Sequence, residues 1–293
     1  MSELVEMIRK NFKENDDIRD FGLTTPADIE RFDDIVYGED EKWQVLDVYR
    51  PKDAEGKLPV IISIHGGAWV YGDKQLYQYY CMSLAQRGFA VVNFTYRLAP
   101  EFKYPAQLID TNLVAGFVVD NSDKYGFDLK NIFAVGDSAG GHLLGLYSCL
   151  VTNKEYSKKM GIEPPKDFSF KAVALNCGIY LVDPNGAREQ DLSLMKEFLP
   201  GGATKEELKE ISVAEHITGA FPPAFIMTAD GDFLKDQPRN LIDKLLAVNV
   251  PHTFRYYSIP EKQLGHVFHL NIRLSEAAKC NDEEFAFFKG FVD

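Results

Sequence analysis

One segment of the chain combines a nucleophilic side chain with neighbours small enough to expose it. Residues 132–135 are apolar and typical of a strand, and they lead into GDSAGG (136–141), after which a helical pattern begins. A serine at such a sharp strand–turn–helix junction projects its Oγ, provided that the adjacent residues allow close backbone approach. The helix amino terminus also favours negative charge nearby. The segment therefore predicts that Ser138 is a nucleophile.

A second glycine-containing turn offers donors for a developing negative charge. An apolar, strand-like run ends in HGGAW (65–69). Acyl transfer requires rigid N–H groups that already point at the carbonyl oxygen as it becomes an oxyanion. We expect the N–H groups of Gly66 and Gly67, with that of Ala139, to form this oxyanion hole. We interpret His65 as a structural residue that hydrogen-bonds the turn.

Candidate partners for the serine lie further along the chain. Asp230, Asp232 and Asp236 follow one strand-like run, and His266 and His269 follow the next. A histidine would act as general base toward the serine, and a carboxylate would orient that histidine. Asp236 stands where a helix begins, so helix capping and the helix dipole account for it. The residues alone leave the choice of acid and base open.

The other histidines and the cysteines have structural interpretations. His142 lies one turn into the helix after the serine and is expected in its packing, whereas His216 and His252 are expected at the surface or at strand edges. The cysteines are far apart and lack C-x-x-C spacing, so we predict buried free thiols and no metal site. These cysteines are Cys81, Cys149, Cys177 and Cys280.

The elements that must position these residues alternate between strand and helix. Strand-like runs occur at 43–49, 59–65, 90–96, 132–136, 172–177, 224–229 and 253–258. Helical periodicity occurs at 76–87, 107–121, 139–152, 237–248 and 283–291. Several strands are apolar throughout, as is typical of strands covered on both faces. The pattern predicts an α/β protein with a mostly parallel, doubly wound sheet and helices on both faces.

Two segments do not fit this alternation. Residues 1–30 contain a short amphipathic helix, and residues 180–221 contain helical pieces at 192–198 and 204–211. Long connections inside compact domains are usually functional. We predict one domain, 1–293, in which both segments form a small cap over one end of the sheet, with plain core packing as the alternative for the first helix.

Composition narrows the range of partners. The chain has 293 residues and a formal net charge of −12. Acidic charge spread along the chain argues against binding to nucleic acid or to an anionic membrane. The amino terminus lacks the apolar run of a secretory signal, and no segment has the ~18 consecutive apolar residues of a membrane span. We therefore expect a cytoplasmic protein.

The motifs together resemble the hormone-sensitive-lipase-like (family IV) carboxylesterases of the α/β-hydrolase superfamily. The resemblance covers roughly residues 43 to 275 and rests on motifs in the family's order. They are HGG (65–67), YRLAPE (96–101), YPA (104–106), GDSAGG (136–141), the Asp-x-Leu-x-Asp pattern (232–236) and GHVF (265–268). The resemblance implies that Asp232 is the acid and His266 the base. The family's frequent third glycine is replaced by Ala68, which argues against bulky alcohol groups.

The resemblance further implies a serine esterase that works through an acyl-enzyme and needs no cofactor or metal. Its partner would be a small-molecule ester, and a homodimer is possible. We expect short acyl groups, acetyl to butyryl, with acetylated carbohydrates as one class, and substrate contacts from Trp69, Tyr71, Asp137 and Tyr180. The alternatives are a serine peptidase of the oligopeptidase type and a non-catalytic ligand-binding protein of this fold.

Overall fold

The computed structural model describes residues 2–183, 189–260 and 262–293, which form eight strands and ten helices. The strands are β1 (Ile29–Val36), β2 (Val45–Pro51), β3 (Leu58–Ile64), β4 (Ala90–Phe94), β5 (Phe127–Asp137), β6 (Ala172–Asn176), β7 (Ala224–Ala229) and β8 (His252–Tyr257). The helices are α1 (Glu3–Asp20), α2 (Lys74–Ala85), α3 (Ala106–Asp120), α4 (Ser122–Tyr125), α5 (Ala139–Thr152), α6 (Lys154–Met160), α7 (Glu189–Phe198), α8 (Lys205–Glu210), α9 (Gln237–Ala247) and α10 (Ser275–Lys289).

The strands form one sheet in the order β1-β2-β4-β3-β5-β6-β7-β8. Pairing is antiparallel between β1 and β2 and between β2 and β4, and it is parallel from β4 through β8. The central strands β4, β6 and β7 are buried along their whole length. This architecture confirms the predicted mostly parallel sheet. The carboxyl ends of the parallel strands therefore lie together at one edge.

Helices cover both faces of the sheet, as predicted. One apolar core contains residues of α3, α5, α6 and α9 together with Val5 and Ile8 of α1. A second core lies on the other face and contains residues of α2 and α10, among them Phe285 and Phe288. After each parallel strand the chain must return along a face of the sheet, and here it does so through helices. These helices bury both faces of the sheet.

The sequence pattern missed β1 because this strand carries little apolar signal. Its sequence is IERFDDIV, and only Ile29 is buried. The strand pairs with β2 at the sheet edge, and its register shifts between Phe32 and Ile35. Edge strands have one solvated side, so the pairing partner decides their formation more than their own residues do. The second element of the chain is therefore a strand and not part of the amino-terminal cap.

Two other elements are longer than their patterns predicted. Helix α10 begins at Ser275 and not near residue 283, because its first two turns are mostly polar and bury only Ala277, Cys280 and Asn281. Strand β5 begins at Phe127, five residues before the predicted start, because it pairs with Leu58 across a register shift. The predicted starts of α10 and β5 were wrong because tertiary contacts extend both elements. The periodicity of a single segment contains no information on such contacts.

Helix α1 lies over the carboxyl edge of the sheet, beside the turn that follows β3. Its Arg9 donates from Nε to the carbonyl of Val70 at 2.7 Å and from Nη2 to that of Ala99 at 3.1 Å. Arg9 also forms a two-pronged ion pair with Glu101 at 2.7 and 2.8 Å. Within the part of the chain described, none of the helices is both long enough and apolar enough to cross a membrane.

Candidate active site

Ser138 occupies a strained turn between β5 and α5. Its backbone angles are φ 51° and ψ −118°, a conformation that is costly for a residue with a side chain and is found mainly at functional positions. The Ser138 N–H donates to the carbonyl of Asn176 at 2.9 Å. Gly140 makes the turn possible, because a Cβ there would collide with the carbonyl oxygen of Ile64. The predicted motif therefore adopts the strand–turn–helix geometry that projects a serine hydroxyl.

Asp232 and His266 meet at the same edge of the sheet. His266 Nδ1 lies 2.6 Å from Asp232 Oδ1, and the residues just before them, Gly231 and Gly265, form a parallel bridge that joins the two loops. Thr228 donates to Asp232 Oδ2 at 2.7 Å. Burial alone would raise the pKa of Asp232, but hydrogen bonding to His266 and the histidine's charge lower it below 3.8. This carboxylate is therefore ionised and oriented to hold the imidazole.

The other candidates for the acid and the base make different contacts. Asp230 Oδ1 accepts from the Leu264 N–H at 2.9 Å and so stabilises the loop. Asp236 stands at the start of α9, although its side chain makes no capping hydrogen bond. His269 is fully buried against the edge of Tyr80, and burial lowers its pKa to about 3. These placements favour Asp232 and His266 over Asp230, Asp236 and His269.

A cavity of about 530 Å³ opens above these residues. Ser138 and His266 both line it, and no hydrogen bond joins their side chains in the described part of the chain. Contacts of this kind often tighten only when substrate binds. Helix α1 supplies one wall. Its lining residues are Phe12, Asn15, Asp16 and Arg19. The cavity lining also includes Phe233, Val267, Leu270 and Leu274.

The predicted oxyanion hole needs one correction. The Gly66 N–H donates to the Tyr77 hydroxyl at 2.8 Å, so it is not available to a substrate oxygen. Among the described residues, no acceptor engages the N–H groups of Gly67, Ala68 or Ala139. Gly67 and Ala68 have φ of 111° and 55°, so the turn that carries their N–H groups has an irregular backbone. The Ala68 N–H is therefore available where that of Gly66 is not, a difference that only the three-dimensional structure reveals.

The YRLAPE block supports the loop that carries these donors. The Tyr96 hydroxyl donates to the His65 carbonyl at 3.0 Å, and its ring stacks on the His65 imidazole at 4.0 Å. The Ala99 N–H donates to the Trp69 carbonyl at 2.9 Å. His65 Nδ1 lies 2.7 Å from the Gly66 carbonyl, and burial lowers its pKa to about 4. This contact confirms that His65 is structural.

Two of the four predicted substrate contacts line the cavity. Tyr71 does so, with its hydroxyl donating to Asp16 Oδ2 at 2.9 Å. Asp137 also lines it and accepts from the Tyr77 hydroxyl at 2.8 Å. Burial raises the pKa of Asp137 to about 7, and the bond from Tyr77 opposes that rise. Tyr71 and Asp137 therefore both contribute polar groups to the lining of the cavity.

The structure does not bring Trp69 or Tyr180 to the cavity. Trp69 has φ 61°, which turns its ring into the core, where it stacks on Phe198 at 4.8 Å and donates to His142 Nδ1 at 3.2 Å. Tyr180 is fully buried, and its hydroxyl accepts from the Gly178 N–H at 3.2 Å. Aromatic composition alone did not distinguish a substrate platform from core packing. Both predictions are corrected to structural roles.

The predicted cap role of the insertion 180–221 falls partly on residues that the structure does not describe. None of its described residues lines the cavity, and residues 184–188 lie outside the described chain. Its later part packs beside α5, where the Val213 side chain would contact any side chain at Gly145. Thr204 and Glu207 form a capping box that starts α8. Among the described residues of the two predicted cap segments, those that line the cavity belong to α1.

Cys177 lies behind the paired acid and base. Its Sγ and the ligand atoms of Asp232 and His266 all lie within 4.8 Å of one another. Burial and the charge of Asp232 raise the pKa of the Cys177 thiol, and a protonated thiol is a poor metal ligand. All four cysteines are buried and unpaired, as predicted. This cluster is therefore explained by packing behind Asp232.

Comparison with known proteins identifies relatives of this chain. The profile of the BD-FAE family matches residues 46–245, more than half of the chain. Esterase LipC of Mycobacterium tuberculosis is 29% identical over 80% of this chain and 59% of its own length. The isoprenylcysteine alpha-carbonyl methylesterase ICME of Arabidopsis thaliana is 35% identical over 76% of this chain and 54% of its own length. The chain thus spans under two thirds of both relatives.

A solved structure matches nearly the whole chain. Esterase B of Lactobacillus rhamnosis, in a form inhibited by a C6-C4 compound, superposes with a TM-score of 0.88 at 25% sequence identity. The match covers 99% of this chain and 97% of that one. These likenesses favour ester hydrolysis over the peptidase and ligand-binding alternatives. The chain belongs to the BD-FAE family, and its architecture is that of the α/β-hydrolase carboxylesterases.

Proposed function

We propose that this protein is a serine carboxylesterase with Ser138 as nucleophile, His266 as general base and Asp232 as the residue that orients His266. The proposal rests on one observation, which is that Ser138 and His266 line the same cavity. This cavity exposes a serine on a strained turn and a histidine whose other ring nitrogen lies 2.6 Å from a buried carboxylate. This constellation defines serine hydrolases independently of fold.

The proposed reaction has two steps. His266 takes the proton of Ser138 while Oγ attacks the ester carbonyl, and the resulting oxyanion binds the N–H groups of Gly67, Ala68 and Ala139. The tetrahedral intermediate then expels the alcohol, which receives the proton from His266. A water molecule, deprotonated by His266, attacks the acyl-enzyme and releases the acid. Side chains and backbone groups carry each of these steps.

We propose short acyl groups, acetyl to butyryl, as the preferred substrates. Phe12 and Tyr71 meet edge to face with ring centroids 5.8 Å apart, and they narrow the cavity where α1 covers it. A related structure of esterase B was solved with a tributyrin phosphonate inhibitor. Asn15, Asp16 and the Tyr71 hydroxyl place polar groups on the same wall. Their presence supports hydroxylated alcohols, including those of acetylated carbohydrates.

A chain-length series tests this proposal. Among p-nitrophenyl acetate, butyrate and palmitate, we expect kcat/KM to be highest for acetate or butyrate. It should be about 100-fold lower for palmitate, because a long acyl chain must displace the wall formed by Phe12 and Tyr71 to bind. Phe12→Ala should raise the activity toward palmitate relative to butyrate by about tenfold by opening the wall. Phe21→Ala is the matched control, since Phe21 is 84% exposed at the end of α1 and does not line the cavity. A wild-type preference for palmitate would exclude the short-chain assignment.

A further inference from the structure

The Tyr77 hydroxyl joins the two segments that carry the reacting groups. It accepts from the Gly66 N–H at 2.8 Å and donates to Asp137 Oδ2 at 2.8 Å. Gly66 immediately precedes the donor Gly67, and Asp137 immediately precedes the nucleophile Ser138. One hydroxyl group therefore spans the oxyanion loop and the nucleophile turn at adjacent positions.

Regular strand pairing ends just before this point. The last pair between β3 and β5 is Ile64 with Gly136. Beyond it the turn after β3 has no further pairing with β5, whereas Asp137 still pairs with Asn176 of β6. The bridge through Tyr77 takes the place of the next hydrogen-bonded step between β3 and β5. It therefore links the donor loop directly to the nucleophile turn.

The surroundings leave little freedom for other arrangements. A Cβ at Gly66 would lie 2.6 Å from Asp137 Oδ2, so only glycine permits this approach. Tyr77 is 6% exposed, and its helix α2 is capped by Asp73, whose side chain accepts from the N–H groups of Gln75 and Leu76. A buried hydroxyl holds its position well when both its proton and its oxygen are engaged.

The donor and acceptor roles follow from the Gly66 N–H, which can only donate to the Tyr77 oxygen. Burial raises the pKa of the Tyr77 hydroxyl well above 10, so the hydroxyl keeps its proton. That proton goes to the carboxyl of Asp137, which leaves an oxygen lone pair facing the Gly66 N–H. The bridge consequently has one direction, from Gly66 through Tyr77 to Asp137.

We propose that Tyr77 is a positioning residue for the oxyanion hole, acting through the Gly66–Tyr77–Asp137 bridge. The inference rests on the proposed esterase function and goes beyond the triad, because Tyr77 acts without accepting or donating a proton during the reaction. Preorganised donors act only where they already point at the developing charge. Loss of the bridge should weaken binding of the transition state more than binding of the substrate.

Tyr77→Phe tests the proposal with p-nitrophenyl butyrate. We expect kcat to fall about 10- to 100-fold with KM changed less than about threefold, since an oxyanion donor is worth about 100- to 1000-fold and is here misaligned rather than removed. Inhibition by phenylboronic acid, whose tetrahedral adduct with serine resembles the intermediate, should weaken by a similar factor. Both changes follow from the same misaligned donors.

The matched control is Tyr49→Phe. The Tyr49 hydroxyl also donates to a buried carboxylate, Asp47 at 2.7 Å, and it also receives an N–H, from Asn93 at 3.5 Å. Both variants should lose similar thermal stability, whereas Tyr49→Phe should keep kcat and boronate affinity within about threefold of wild type. A folded Tyr77→Phe enzyme with the kinetic constants of Tyr49→Phe overturns the inference.

A second variant covers the case in which Tyr77→Phe does not fold. Asp137→Ala removes the acceptor and keeps the tyrosine, so kcat and boronate affinity should fall together, and unchanged values overturn the inference. When both single variants fold, the double variant should be no slower than Asp137→Ala alone, because both break one bridge. Absence of ester turnover in the wild-type protein would instead contradict the proposed function.

Discussion

Ser138→Ala should lower kcat for p-nitrophenyl butyrate by about 10⁵- to 10⁶-fold, the largest effect that we expect from one substitution. The serine supplies the bond-forming oxygen, and serine hydrolases that lose this atom retain only what their oxyanion hole and substrate binding provide. The substitution removes a single oxygen from a side chain that makes no hydrogen bond among the described residues. KM should therefore change little, and the variant should fold normally.

The measurement is steady-state hydrolysis with the variant purified separately from wild type. Ser148→Ala is the matched control, because Ser148 lies on the same helix α5 but is fully buried almost three turns beyond the nucleophile. It should keep kcat within about threefold of wild type. If Ser138→Ala is as active as the wild-type protein, the nucleophile must be another residue.

Asp232→Asn should lower kcat by about 10⁴-fold. Its Oδ1 faces His266 Nδ1 at 2.6 Å, and an amide at this position removes the charge that stabilises the imidazolium formed when Ser138 loses its proton. Asparagine also permits the imidazole tautomer that cannot accept the serine proton. The loss should appear in kcat more than in KM, because the ionised pair is required in the transition state.

Asp230→Asn is the control for this prediction and resolves the choice that the sequence leaves open. Asp230 lies two residues away, and its Oδ1 accepts the Leu264 N–H at 2.9 Å. An asparagine oxygen accepts the same bond, so kcat should stay within about threefold of wild type. A larger loss in Asp230→Asn than in Asp232→Asn would exchange their roles.

The part of the site that the sequence predicts is the part determined by local geometry. The turn at Ser138 needs glycine at fixed positions, and an apolar strand and a helix must flank it, so one short segment contains the whole requirement. Asp232 and His266 required more, because they meet through loops after β7 and β8 that are 34 residues apart. Their choice came from the resemblance, and the observed contact agrees with it.

The features that sequence reasoning missed depend on contacts between distant segments. Gly66 is engaged by Tyr77, a residue on the next helix, and no pattern within the HGGAW turn reveals that bond. Trp69 turns inward because its φ is 61°. Tyr180 is fully buried, and its N–H donates to the side chain of Gln237, 57 residues away. An aromatic residue beside a motif is compatible with a substrate wall or with the core until the backbone direction is known.

The helix that covers the cavity illustrates the same limit. The amphipathic pattern in residues 1–30 predicted a helix and allowed either a cap or core packing. The structure contains both, because Val5 and Ile8 are buried in the core while Phe12 and Asp16 line the cavity. Periodicity identifies the buried face of a helix but not what each turn of that face contacts.

Covalent catalysis at Ser138 is the central claim, and trapping the acyl-enzyme tests it most directly. Wild-type protein mixed with p-nitrophenyl butyrate and quenched in acid within milliseconds should carry one butyryl group, located by mass spectrometry on the peptide that contains Ser138. His266→Ala, which lacks the base for both steps, should acquire the group far more slowly, and Ser138→Ala should acquire none. Rapid turnover with no butyryl group on Ser138, or with the group on another residue, would contradict the mechanism.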